Sequence, residues 1–112
     1  MSERPTSIKV GPVRYAVHLD SVKLGGYCLE QKGAYQGYCD HKKLEIVIDP
    51  DLATDSAKET LVHELLHAIR AASSIGLDME GSESFIQKFS PWLLDTLQRN
   101  PALVAYLMEE AK

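Results

Sequence analysis

Residues 56–77, SAKETLVHELLHAIRAASSIGL, decide the fold because they predict one amphipathic helix with recognisable ends. Ser56 and Glu59 have the spacing of a capping box, in which an N-cap serine and the glutamate three residues later satisfy each other's backbone N–H groups. Gly76 suits the left-handed position that commonly follows a helix. The sequence therefore predicts a helix over residues 57–75.

Within this helix, residues 63–67 read His-Glu-Leu-Leu-His. Side chains four residues apart lie one turn above each other, so His63 and His67 can bind one zinc ion. Glu64 lies about 100° further round the helix, where it can act as a general base on a water molecule. The apolar stripe of the helix consists of Leu61, Val62, Leu65 and Ile69. The two histidines therefore face a cleft or solvent and not the core.

Two histidines do not complete a catalytic zinc site, which usually has three protein ligands. No histidine follows the pentapeptide, and the position six residues after its second histidine is Ser73. The remaining candidates are carboxylates beyond the helix. Glu83 falls in the first turn of a second predicted helix, capped by residues 81–82, where the helix dipole favours negative charge. On spacing alone Glu83 and Glu80 both stay open as the third ligand, and Asp78 as a hydrogen-bond partner of an imidazole.

Composition limits the classes of protein to which the chain can belong. It has 112 residues, 45% of them hydrophobic, which suits one domain. We assign residues 8–112 to that domain and residues 1–7 to a flexible N-terminus. A net charge of −4 and the lack of a basic run argue against nucleic acid or a membrane surface as partner. The polar N-terminus lacks the apolar core of a secretory signal, so we expect a cytoplasmic protein in which Cys28 and Cys39 are free thiols.

Strand patterns precede the helix. Apolar residues alternate with polar ones over residues 14–19 and 44–48, and a third strand over residues 34–40 would form a hairpin with the second. The glycines and tyrosines of residues 25–38 predict a turn-rich segment. After the second helix begins, Ser90-Pro91 predicts a kink or restart, and Asn100-Pro101 opens a last helix.

The sequence thus predicts an α+β fold, with a small antiparallel sheet of about three strands followed by three helices and the pentapeptide on the first helix.

Residues 37–107 resemble the small zincin-like metallopeptidases of the ImmA/IrrE-like group, especially the single-domain versions found in phage and prophage genomes. The matching segments are residues 44–49, 60–69, 83–86, 92–94 and 97–101. The resemblance implies a minimal zincin-like domain in which His63 and His67 bind zinc and Glu64 is the catalytic base. It also implies Glu83 as the third ligand, the gluzincin-like arrangement.

The expected function is therefore that of a zinc metallopeptidase with one Zn²⁺ ion, which hydrolyses peptide bonds of a peptide or protein by a metal-activated water and the base Glu64. The alternative is a catalytically weak or inactive zincin-fold module, a phage or prophage accessory protein that binds or regulates a partner. A tyrosine or Arg70 would donate a hydrogen bond to the developing oxyanion, and the sequence does not select which.

Overall fold

The computed structural model describes residues 3–74 and 83–109, with the backbone alone for residues 83 and 84. These residues form one sheet and four helices. In chain order the elements are β1 (Ser7–Val10), β2 (Val13–Leu19), α1 (Ser21–Gln31), β3 (Gly37–Asp40), β4 (Glu45–Ile48), α2 (Thr54–Ser73), α3 (Glu83–Arg99) and α4 (Pro101–Met108). The α+β class is confirmed. None of the described helices combines the length and apolar character that a membrane span requires.

The sheet has four strands and not about three as predicted, because residues 7–10 add β1 at one edge. The strand order is β1-β2-β4-β3, and the sheet is mixed. β1 pairs with β2, and β3 with β4, in antiparallel hairpins, as predicted for the second pair. β2 and β4 pair in parallel, with Ala16 opposite Glu45 and Leu19 opposite Ile48. The prediction of an antiparallel sheet is therefore wrong at this pair. The reason is α1, because a parallel pair needs a long crossover connection and a helix supplies it.

Helix α1 occupies part of the segment that was predicted to be turn-rich. The Asp20 carboxylate accepts hydrogen bonds from the backbone N–H groups of Val22 and Lys23, which caps the helix at its start. Lys32, in the left-handed conformation with φ 55°, ends it. Gly25 and Gly26 lie inside the helix, so the prediction of a turn at these residues is wrong. Because α1 precedes it, the helix that carries the pentapeptide is α2 and not the first helix of the chain.

The two faces of the sheet carry different helices. The face that packs against α2, α3 and α4 holds the core, which consists of Ile8, Val10, Tyr15, Val17, Ile46, Ile48, Leu61, Leu65, Ala68, Ile69, Phe89 and Leu103. Successive residues of a strand point to opposite faces. Tyr38 and Glu45 alternate with core-facing residues and contact Tyr27 and Lys23 of α1. α1 therefore covers the opposite face.

Helix α2 starts earlier and ends earlier than predicted. Ala53 is its N-cap and provides no side-chain hydrogen bond, while Ser56 lies in the first turn, so the capping box is wrong. Ser74 takes the left-handed conformation after the helix, with φ 59°. Gly76, the predicted terminator, lies outside the described residues.

Helix α3 runs without interruption through Pro91, so the predicted restart at this point is wrong. Proline removes one backbone donor, and on this exposed side of the helix the loss is tolerated. The Ser90 hydroxyl donates to the Ile86 carbonyl, 2.6 Å away, instead of capping a new helix.

The chain terminus joins the sheet at residue 6. The Thr6 carbonyl accepts a hydrogen bond from the Val17 N–H, Pro5 is buried, and Ser7 begins β1. The segment predicted as a flexible N-terminus thus contributes its last residues to the fold.

Asn100 precedes α4 with Pro101 at the start of the helix, as predicted, but its side chain has another role. Its Oδ1 accepts from the Lys9 N–H at 2.8 Å, and its Nδ2 donates to the carbonyls of Lys9 at 2.8 Å and Thr96 at 2.7 Å. The amide pairs with the backbone of β1 as a neighbouring strand would. It therefore ties the end of α3 to the outer edge of the sheet.

Substitution of Asn100 by alanine should lower the free energy of unfolding by about 2–4 kcal/mol, because it leaves backbone groups of Lys9 and Thr96 unsatisfied. Urea unfolding followed by circular dichroism measures the change. Gln98→Ala, an exposed change on the last turn of α3, is the matched control and should stay within about 0.5 kcal/mol of the wild type. Equal stability of the two variants would contradict this role of Asn100.

Candidate metal centre

The pentapeptide lies in the middle of α2, and the packing of the helix determines where its side chains point. Leu61, Leu65 and Ile69 are buried against the sheet, as the apolar stripe predicts. His63 and His67 are exposed on the other side of the helix. Their rings are 4.9 Å apart between centroids and inclined by 70°. The prediction that both histidines face away from the core is confirmed.

The structure brings His63, Glu64 and His67 together as one group of ligand atoms. One nitrogen of each imidazole and one carboxylate oxygen all lie within 4.8 Å of one another. Two nitrogens bound to the same zinc ion at about 2.0–2.1 Å are at most about 4.2 Å apart, a separation that a small side-chain rotation reaches. Imidazole nitrogen and carboxylate oxygen are also the donors of catalytic zinc sites. The residues therefore fit a zinc ion.

Glu64 differs from the histidines because it is buried, with 7% of its surface exposed. Burial raises the pKa of its carboxyl group, while the neighbouring His63 acts in the opposite direction. A carboxylate with a raised pKa is a better acceptor of protons near neutral pH. Its charge also affects the neighbouring thiol of Cys39. The pKa of this thiol is raised to about 12, mainly by burial and then by the negative charges of Glu64 and Asp40.

Gly37 allows α2 to lie close to β3. A Cβ atom at this position would be 2.8 Å from the Val47 carbonyl oxygen and 2.9 Å from the Cγ2 of Thr60. It would also be 3.6 Å from the Cγ of Glu64. The absence of a side chain at residue 37 therefore allows α2 to bring Glu64 close to the backbone of β3.

Two clefts flank the histidine pair. The β3-side cleft has a volume of about 240 Å³ and is lined by Ala34, Tyr35, Gln36, Gly37, Glu59, Thr60, His63 and Glu64. The α3-side cleft has a volume of about 320 Å³ and is lined by His63, Leu66, His67, Arg70, Phe85 and Phe89. His63 lines both clefts. They are therefore adjacent, and the group of His63, Glu64 and His67 extends from one cleft into the other.

The predicted third ligand lies only partly within the described residues. Glu83 is the first residue of α3, so its predicted place in the first turn of the second amphipathic segment is confirmed for the backbone. Its side chain, and the whole of Asp78 and Glu80, lie outside the described residues.

Other candidate residues lie apart from the group. His18 is near Glu45, with 3.7 Å between Nε2 and Oε2, and His41 Nδ1 is 3.2 Å from the Tyr15 hydroxyl. Cys28 and Cys39 are both free thiols.

The oxyanion role was predicted for Arg70 or for an unspecified tyrosine. Arg70 lines the α3-side cleft, and the β3-side cleft is lined by one tyrosine, Tyr35. Sequence reasoning missed the part that Phe85 and Phe89 play beside the histidines. Their spacing of four residues on an amphipathic helix indicated one shared face, but not that this face meets the histidines.

Gly37→Ala should lower the free energy of unfolding by about 1–3 kcal/mol, because the new methyl group meets a backbone oxygen that cannot move independently of β4. Gly26→Ala is the matched control: nothing lies within 4 Å of a Cβ at this position in α1, so stability should rise by up to about 1 kcal/mol. Urea unfolding measures both. A Gly37→Ala variant as stable as Gly26→Ala would disprove the close approach.

Comparison of the chain with protein-family models, with curated proteins and with solved structures found no match.

Proposed function

We propose that this chain is a zinc-dependent peptidase in which His63 and His67 bind the metal and Glu64 is the general base. The observation that carries the proposal is the convergence of two exposed imidazoles and one buried carboxyl group within 4.8 Å, at the meeting point of two clefts. A site of this kind can bind a metal ion beside a general base while a peptide substrate lies across both.

Glu83 is proposed as the third ligand, with Glu80 as the alternative. The support for Glu83 is its place at the start of α3, because this helix contributes Phe85 and Phe89 to the cleft that both histidines line.

Zinc, when bound, would supply Lewis-acid activation of water and of the substrate carbonyl group. Glu64 would take a proton from the water as its oxygen bonds to the carbonyl carbon. The same carboxyl group would then pass this proton to the nitrogen of the leaving amine as the C–N bond breaks. Burial supports both steps, because a raised pKa lets Glu64 hold the proton between them.

A second candidate function is a binding module that uses the same scaffold without efficient catalysis. An exposed apolar residue of the α3-side cleft favours it, since Leu66 is available to contact a partner. Pull-down of partners with and without chelator, beside incubation with an unfolded protein mixture, separates the two functions. A binding module captures a partner in intact form, whereas a peptidase releases fragments that are absent after chelation.

Zinc binding should depend on the proposed ligands alone. His67→Ala should lower zinc affinity at least 100-fold, and His41→Ala, an exposed histidine outside the group, should leave it unchanged. Glu83→Ala should lose zinc and Glu80→Ala should keep it. Elemental analysis and competition with a chelating dye measure these values. Loss of zinc in Glu80→Ala alone would transfer the third-ligand role to Glu80.

Glu64→Gln should keep zinc within about threefold of the wild-type affinity and reduce peptide hydrolysis by about 10²–10⁴-fold, because the amide has nearly the same shape but cannot accept the proton. Asp55→Asn is the matched control, since Asp55 is an exposed carboxylate on the same helix that lines neither cleft. Its activity should match that of the wild type. Undiminished hydrolysis by Glu64→Gln would remove this residue from the mechanism.

A further inference from the structure

We propose that the α3-side cleft binds a large aliphatic or aromatic side chain of the substrate, beside the peptide bond to be hydrolysed. This inference rests on the proposed function and adds a substrate preference to it. It names Leu66, Phe85 and Phe89 as the residues that determine the preference.

The cleft has an apolar wall on each side. Phe85 and Phe89 stack with their ring centroids 5.1 Å apart and their planes inclined by 22°, so α3 contributes two adjoining aromatic rings to the cleft. Leu66 lines the cleft from α2 and keeps 37% of its surface exposed. A leucine that projects into an open cleft beside two phenylalanines gains by contact with another apolar group. The space, about 320 Å³, is within the usual range for ligand pockets.

The position of the cleft identifies the occupant as part of the substrate. His63 lines this cleft and also the β3-side cleft, so a peptide that crosses the imidazole pair enters both. The β3-side cleft offers polar partners in Gln36, Glu59 and Thr60. An extended chain therefore places an apolar side chain on the α3 side of the metal and is free to carry a polar one on the β3 side.

The expected preference is at least tenfold. One methylene group more or less in an apolar pocket discriminates between substrates by about 10- to 200-fold. Peptides with leucine, isoleucine, methionine or phenylalanine at one position next to the cleaved bond should therefore be preferred over those with glycine, aspartate or glutamate.

The first test maps cleavage sites in a denatured protein mixture by mass spectrometry, using the zinc-loaded wild type, Leu66→Gln and Leu94→Gln. Leu66→Gln makes one wall polar without adding charge near the metal, and zinc content is measured for each variant. Leu94→Gln is the matched control, an exposed leucine of α3 that does not line the cleft. The apolar enrichment should fall below threefold in Leu66→Gln and persist in Leu94→Gln. Cleavage without apolar enrichment, or enrichment that Leu66→Gln leaves intact, overturns the inference while the proposed function stands.

The second test measures binding and does not need catalysis. Fluorescein-labelled alanine peptides with one variable residue (glycine, glutamate, leucine or phenylalanine) are titrated with the Glu64→Gln protein and followed by anisotropy. Leucine and phenylalanine peptides should bind at least tenfold more tightly than the other two, and the added Leu66→Gln change should remove the difference. If the wild type cleaves no peptide, the proposed function fails. The binding measurement then decides the inference on its own. Equal affinities, or no binding, overturn it.

Discussion

The rotational setting of α2 on the sheet is the constraint on which the candidate site depends. Leu61, Leu65 and Ile69 are buried against the strands, and at 100° per residue this setting turns residues 63 and 67 outward. Residue 64 then lies between the outer side and the apolar stripe, where Glu64 becomes buried beside β3. A rotation of the helix by about 100° in one direction would expose this carboxylate, and a rotation in the other direction would bury the histidines. The different exposure of base and ligands thus follows from core packing and does not require hydrogen bonds among the three side chains.

The two clefts differ in polarity because different elements build them. The segment before β3 and the first half of α2 supply amide, hydroxyl and carboxylate groups on one side of the histidines. The second half of α2 and the start of α3 supply leucine and phenylalanine on the other, together with one arginine, Arg70. One helix contributes to both walls, and its histidines occupy the boundary. A ligand that spans the boundary therefore meets an asymmetric surface, and this gives the site a direction along the substrate.

Local sequence signals predicted the parts of this structure that local interactions determine. The amphipathic period placed the histidines outside the core, and the strand patterns gave the hairpin of β3 and β4. The failures came where a tertiary contact overrode a local signal. Gly25-Gly26 indicated a turn, yet Lys23 and Tyr27 hold α1 against the sheet through Glu45 and Tyr38. Once α1 connects the strands, β2 and β4 pair in parallel, which no short-range pattern could indicate.

The wall formed by α3 was unpredictable for the same reason, since it depends on how distant segments pack. Phe89 belongs to the hydrophobic core and also lines the α3-side cleft, so one side chain both anchors α3 and shapes the site. At its other end, α3 is tied to β1 through Asn100. The position of the helix is thus set from both ends by contacts that lie outside the pentapeptide. A ligand contributed by the first turn of α3 would share this support, so metal binding and the apolar preference would depend on the same packing.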